Sequence, residues 1–212
     1  MISHKELINL YNKLLDKDVK EGINKFLRQD FDNKNQRYET DMLWKTDALI
    51  GGVGGYCLPS NSLKNPYPKG IERELYRPLQ YAKEEIDIRY GRINARYIID
   101  MCGMHLEAAS RLLLKGSILE ELRFSNCTLG KAVHRIAQKK ILDNYVIEAL
   151  YDFVQIYNRS KHEVNQDENR ERLFSTDDAI VVYFATRILG LVILRKIGRE
   201  ESFKVYNICI DD

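Results

Sequence analysis

Hydrophobic positions recur every three or four residues through most of the chain, which is the spacing of amphipathic α-helices. In the N-terminal segment 3–28 the apolar positions of this pattern are Leu7, Leu10, Leu14, Ile23 and Phe26. Ser3 and Glu6 have the spacing of a capping box, in which each of the two side chains accepts a hydrogen bond from the backbone N–H of the other residue. The pattern therefore predicts a helix over residues 3–28.

Helical periodicity returns at residue 69 and continues toward the C-terminus. It predicts an amphipathic segment over residues 69–90, with a kink or restart at Pro78 because proline lacks a backbone N–H. The further helices are predicted over residues 93–116, from Thr128 to about 141, over about 143–162, and from the sequence STDDAI onward, where Ser175 and Asp178 again have capping-box spacing. Helices thus account for most of the chain beyond residue 69.

Residues 29–68 interrupt this periodicity. They contain DNKNQ, the glycine run GGVGGYCLP and three of the four prolines, a composition typical of loops. A short helix is predicted around DMLWKTDALI, where the lone tryptophan, Trp44, is expected to anchor this arm to the core; the only candidate strand is FKVYNICI. We predict an all-α helical bundle with a loop-rich N-terminal insertion, organised as a helix and arm over residues 1–68 and a bundle over residues 69–212.

Composition limits the classes of protein that fit. Hydrophobic residues make up 44% and charged residues 30%, which supports a folded core, and the net charge of +2 means that nucleic-acid binding would need a local basic surface. The cysteines are too dispersed for a zinc site or a disulfide scaffold, so we expect reduced thiols at Cys57, Cys102, Cys127 and Cys209. The N-terminus lacks the apolar run of a signal peptide, and Arg187 interrupts the longest apolar stretch. We expect a cytoplasmic protein with no membrane segment.

Several motifs that resemble sites have a simpler interpretation. The run GGVGG is not followed by Gly-Lys-Ser/Thr, so a turn is favoured over a phosphate-binding loop. His105 lies among apolar neighbours and is expected to be a core residue. Because there is no H-E-x-x-H pattern, we expect neither a metal nor a cofactor. Glu107 and Arg111 are four residues apart and are expected to pair on a helix surface.

A basic stripe is predicted on the helix that begins near Thr128. Lys131, Arg135 and Lys139 repeat every four residues and therefore share one face. Such a stripe is either an ordinary solvated face or a surface that neutralises successive phosphates of RNA. The sequence leaves both interpretations open.

The stretch QIYNRSKHEV carries the most informative polar cluster. On a helix, Asn158, Arg159 and His162 lie three and four residues apart and share a face, which Gln155 and Tyr151 extend toward the N-terminus. His162 can exchange a proton near neutral pH, and the cations Arg159 and Lys161 can hold an anion beside it. These residue types could cleave RNA without a metal, through a base, an acid and a cation at the phosphate.

The cluster also resembles a known motif. YNRSKH is similar to the R-N-x-x-x-H motif of the HEPN superfamily, HLEAASRLLLKG resembles an earlier HEPN helix with its acidic and basic pair, and TLGKAVHRI resembles the entry to the next helix. The resemblance covers roughly residues 93–197. It implies a HEPN-like bundle that acts on or binds RNA, in bacterial stress or anti-phage defence. It also implies a homodimer whose motif helices face each other, with Asn158 and His162 of both copies in one cleft, and leaves room for a regulatory protein partner.

The first position of the motif departs from the family. Family members use an arginine there to hold the scissile phosphate, whereas this chain has Tyr157, which carries no charge. Arg159 could substitute, because it lies closer than Tyr157 to the face of His162; five residues rotate a helix about 140° out of phase. Two hypotheses follow: a metal-independent endoribonuclease that uses Tyr157, Asn158, Arg159 and His162 with RNA contacts at Lys131, Arg135, Lys139 and Lys161, or a non-catalytic helical module that binds a nucleotide or a protein partner.

Overall fold

The regular secondary structure of the described part of the chain consists of α-helices alone. The computed structural model describes residue 2 and residues 4–28, 41–50, 71–88, 93–117, 127–164 and 173–198. These residues form eight α-helices: α1 (Lys5–Lys13), α2 (Lys17–Leu27), α3 (Asp41–Ile50), α4 (Ile71–Ile88), α5 (Ala95–Ser117), α6 (Leu129–Gln138), α7 (Asn144–His162) and α8 (Thr176–Lys196). The predicted all-α helical bundle is therefore confirmed.

The two longest helices form the centre of the bundle. α8 is buried along almost its whole length, and α5 packs against it and also contacts α4, α6 and α7. α8 begins with the predicted capping box, in which the Ser175 hydroxyl accepts from the Asp178 N–H and the Asp178 carboxylate accepts from the Ser175 N–H. The predicted burial of this apolar helix is confirmed, and no helix among the described ranges is long and apolar enough to cross a membrane.

α5 runs antiparallel to both α4 and α7. His105 Nδ1 donates to the Leu75 carbonyl of α4 over 2.5 Å, and the ring packs so closely against Gly190 of α8 that a side chain there would overlap it. His105 is a core residue, as expected. Burial lowers the pKa of its imidazole to about 4, so the ring is neutral near pH 7.

The segment 3–28 forms two helices, and the prediction of one continuous helix is wrong. α1 ends at Lys13, and the Asp16 carboxylate caps α2 by accepting from the Val19 N–H over 2.9 Å. The break allows α1 to pack on α7 and α2 to pack on α3. The expected capping box began at Ser3, which lies outside the described residues, and α1 has His4 at its N-cap without a side-chain capping bond.

Helix α3 attaches part of the N-terminal arm to the bundle. The Trp44 ring makes an edge contact with the Tyr183 ring at 6.1 Å between centroids, and Lys83 Nζ lies 4.4 Å from the Trp44 ring centroid. Beneath them, Arg187 Nε donates to Asp47 Oδ1 over 2.7 Å, with both side chains almost completely buried. The predicted short helix and the anchoring role of Trp44 are confirmed.

Two side chains of α5 determine where α6 begins. Glu107 Oε2 accepts from the Leu129 N–H over 2.9 Å, and Glu107 Oε1 pairs with Arg111 Nη2 at 2.5 Å. Arg111 Nε donates to the Cys127 carbonyl over 2.6 Å. The predicted Glu107–Arg111 pair therefore exists and also satisfies backbone groups at the start of α6.

Some of the remaining sequence-based expectations concern described residues, and others concern residues outside the described ranges. Cys102 and Cys127 are buried, unpaired thiols, as expected, whereas Cys57, Cys209, the glycine run and the candidate strand FKVYNICI lie outside the described residues. α4 is continuous through Pro78. α6 ends at Gln138 and is shorter than predicted, because the chain reverses at Lys140, which has a left-handed φ of 51°.

Candidate functional site

The C-terminal half of α7 is held against α5 in an antiparallel register. Ser160 Oγ donates to Asp100 Oδ1 over 2.5 Å, and Arg96 of α5 donates to the Glu163 carbonyl, which follows the end of α7. These two contacts join the N-terminal turns of α5 to the last turn of α7. They fix the rotation of α7 and thereby decide which of its side chains face solvent.

Four side chains of α7 form one exposed face: Tyr151, Gln155, Asn158 and His162. The helical spacing predicted this face, which we call the α7 polar face. Within the described residues, the side chains of Asn158 and His162 form no hydrogen bond or ion pair. Both side chains are therefore available to contact a ligand without breaking an interaction of the fold.

Arg159 turns away from this face toward α1. Its Nη1 atom lies 3.4 Å from Glu6 Oε2, and its Nε atom lies 3.3 Å from Glu163 Oε2. Two carboxylates therefore already neutralise this guanidinium, which remains partly exposed. The structure does not bring Arg159 onto the face of His162, although the two residues are three apart.

His4 is the third partner of Arg159. Its Nε2 atom donates to the Leu173 carbonyl over 3.1 Å, because a carbonyl oxygen can only accept. The neutral ring then leaves Nδ1 as an acceptor for Arg159 Nη1, which lies 3.2 Å away. The start of α1 thus links the end of α7 to the chain that leads into α8, and the sequence contains no local signal for this contact.

Tyr157 is part of the core. Its side chain is 4% exposed and packs on Gly103 of α5, where an added Cβ would overlap the tyrosine ring. Lys161 Nζ lies 3.8 Å from the ring centroid and covers the phenol from the solvent side. Burial raises the pKa of Tyr157, with a hydrogen bond from Lys161 acting in the opposite direction. The motif's first position therefore holds a packing residue that faces α5.

The basic stripe is only partly formed on α6. Lys131 is exposed, but Arg135 is half-buried and its Nη1 atom has no hydrogen-bond partner within the described residues. Lys139 is exposed but lies beyond the last residue of α6, at its C-cap. These three cations do not form one continuous helical row in solvent.

The stripe is also separated from the α7 polar face. Gly130 of α6 packs beside Val154 of α7, which places Lys131 roughly two turns, or about 12 Å along the axis, before His162. Lys139 lies farther away, near the other end of α7. Among the predicted site residues, only Asn158, Lys161 and His162 come together at one exposed end.

The described residues contain no group of three or more His, Cys, Asp or Glu side chains that could hold a metal ion. Comparisons with protein-family models, with curated proteins and with solved structures gave no match.

Proposed function

We propose that the protein is a HEPN-like RNA-binding protein whose α7 polar face contacts RNA. The observation that supports this proposal is the exposure of Asn158 and His162 side by side, with neither side chain used by the described fold. Lys161, also exposed, adds a positive charge at the same end. An amide, an imidazole and an ammonium group supply donors for phosphate oxygens and base edges.

The chemistry at this end supports binding better than cleavage. A ribonuclease of the proposed kind needs a cation at the scissile phosphate, and Tyr157 is neutral and buried while Arg159 is paired with two carboxylates. Lys161 Nζ lies against the Tyr157 ring. Of the two cations within the motif, Arg159 and Lys161, only Lys161 therefore has no carboxylate partner within the described residues.

Metal-independent cleavage is the second candidate function, and one observation favours it. His162 is exposed and one helical turn from Asn158, so its ring can reach a ribose hydroxyl or a leaving oxygen. In the homodimer that the HEPN resemblance implies, a second α7 polar face would bring another histidine and lysine to the same RNA. Cleavage would then depend on both copies.

A single experiment distinguishes binding from cleavage. Labelled single-stranded RNA is incubated with the wild-type protein and with His162→Ala in the presence of EDTA, and both retention and cleavage of the RNA are measured. We expect wild-type protein to bind RNA and His162→Ala to bind it more weakly with an unchanged fold, since the side chain is exposed. If the protein also cleaves RNA, the substitution should reduce the rate by about 10²- to 10⁴-fold.

His134→Ala is the matched control, because His134 is also an exposed histidine but lies on α6. Equal losses in the two variants would contradict a specific role for the α7 polar face, and a wild-type protein that binds no RNA would contradict the proposal itself. Restoring the family arginine with Tyr157→Arg is a poor test, because it places a charge where the Tyr157 ring packs on Gly103.

A further inference from the structure

A cleft lies at the opposite end of α7 from His162. It has a volume of about 310 Å³ and is formed by the chain between α6 and α7 and by the end of α8. Its lining residues are Ile141, Leu142, Asp143, Val192, Arg195 and Lys196. Two segments about fifty residues apart in sequence thus build one concave surface with an apolar floor.

Cations are frequent in the segments that line this cleft and directly before them. Lys139 and Lys140 directly precede the lining segment, and Lys196 belongs to it. All three side chains are exposed, and within the described residues none of them forms an ion pair. Among the described residues, Asp143 is the one acidic side chain in the lining. The described lining therefore combines apolar side chains with more cations than acids.

The backbone at Lys140 gives a second, independent observation. Lys140 N–H donates to the Ala137 carbonyl over 3.0 Å and Ile141 N–H donates to the Ile136 carbonyl over 3.2 Å, which together form a Schellman motif at the end of α6. The residue at the turn has a left-handed φ of 51°. Glycine is the usual residue at this position, because the Cβ of any other residue comes close to the following carbonyl oxygen.

A lysine at this position is unfavourable for folding and places a charge beside the cleft. Basic residues near the C-terminal ends of α6 and α8 also complement the helix dipoles. That effect does not require a lysine at the left-handed position that Lys140 occupies. Residues kept in unfavourable backbone conformations are concentrated at functional sites. The left-handed conformation of Lys140 is an outlier of this kind, and it directly precedes the segment that lines the cleft.

We propose that this cleft binds the phosphate backbone of single-stranded RNA, with Lys139, Lys140 and Lys196 contacting phosphates and Ile141, Leu142 and Val192 lying under a base. This inference rests on the proposed RNA-binding function and adds a second contact region to it. The two regions lie at opposite ends of α7, whose 19 residues separate them by about 28 Å. Substitutions in the cleft should therefore act independently of His162.

The test uses two variants: Lys140→Gly, and the triple variant Lys139→Ala/Lys140→Gly/Lys196→Ala. Affinity for a fluorescein-labelled oligouridylate is measured by anisotropy over a range of salt concentrations, and thermal unfolding is measured in parallel. The triple variant should lower the slope of log affinity against log salt by about 2, since each lost phosphate contact of a single strand contributes about 0.7. Lys140→Gly should bind RNA more weakly and unfold at a temperature about 2 °C higher.

Opposite changes in affinity and stability make Lys140→Gly informative, because a merely damaged fold would lower both. Lys45→Ala is the matched control, since Lys45 is an exposed lysine of α3, and it should leave the salt slope unchanged. If wild-type protein binds the oligouridylate but the triple variant keeps the full slope, the cleft proposal is wrong while the α7 proposal stands. If wild-type protein binds no RNA, or binds phosphatidylserine vesicles instead, both proposals fail.

Discussion

Arg187 and Arg159 each pair with a carboxylate from a distant part of the chain, but their surroundings differ. The Arg187–Asp47 pair is buried between α8 and α3, with side chains 1% and 0% exposed. Arg159 is 38% exposed and shares its charge among Glu6, Glu163 and the ring of His4. The Arg187–Asp47 pair joins α3 to the bundle inside the core, whereas the Arg159 pairs lie at the edge of a candidate binding face.

The difference shows which arginine can respond to a ligand. Separating a buried ion pair leaves a charge without compensation in the core, which costs several kcal/mol. A partly exposed pair competes with water and counterions, so its release costs little. Of the two, the Arg159 pairs are therefore the ones exposed enough for an anion to compete with their carboxylates, whereas the Arg187 pair is confined to the core.

The largest expected effect is on the buried pair. Asp47→Ala should lower the free energy of unfolding by about 3 to 5 kcal/mol, because it leaves the Arg187 guanidinium buried without its carboxylate. Urea denaturation followed by circular dichroism measures this change. In the double variant Asp47→Leu/Arg187→Met, which removes both charges, much of the stability should return. A loss in the double variant as large as in the single one would contradict this account.

An intermediate effect is expected from His105, the buried histidine of α5 whose pKa is lowered first by burial and also by the charge of Arg187. Its pKa is about 4 in the folded protein, against an ordinary value of 6.5. As the pH falls below 6.5, the unfolded state takes up the proton first, so stability decreases until about pH 4. From pH 7.5 to pH 5 the free energy of unfolding should fall by about 2 kcal/mol through this group.

The comparison variant His105→Gln should lose this part of the pH dependence, because an amide does not titrate. His134→Gln changes an exposed histidine instead and should keep it. Chemical denaturation at several pH values measures how the free energy of unfolding of each protein changes with pH. A slope that persists unchanged in His105→Gln would assign the acid sensitivity to other groups.

The smallest effect is expected at the exposed pair. Arg159→Ala should cost about 0.2 to 1 kcal/mol of folding free energy, because the pair is partly solvated, and added salt should reduce the difference. Thermal unfolding at low and high salt measures it. Arg159→Lys is the conservative comparison and should retain part of the interaction with Glu6. A cost as large as that of Asp47→Ala would mean that Arg159 is structurally committed like Arg187.

Much of the fold was readable from the sequence, because helical periodicity and capping residues are local signals. The end of α7 and the start of α8 were predicted closely, and so was the exposure of Asn158 and His162. The break between α1 and α2 was missed because apolar positions continue through Leu14 and Leu15, which hides the capping role of Asp16. Asp16, which is a preferred N-cap residue, was the sequence signal that could have revealed this break.

The surroundings of the candidate site were less predictable. The interaction of Arg159 with Glu6 joins residues 153 positions apart, and a single sequence contains no information about such a pairing. The burial of Tyr157 depends on Gly103, which leaves space for the ring on α5. Helical spacing gave the direction of each side chain but not the neighbour it meets. For this reason the predicted group of four site residues separates into an exposed pair and two structural residues.

The contacts of Glu107 and Arg111 have a practical consequence for protein engineering. Because these α5 side chains bind the backbone at Cys127 and Leu129 directly, the start of α6 is held in place by α5. A redesign of α6 should therefore keep Glu107 and Arg111 unchanged, even though neither residue belongs to α6.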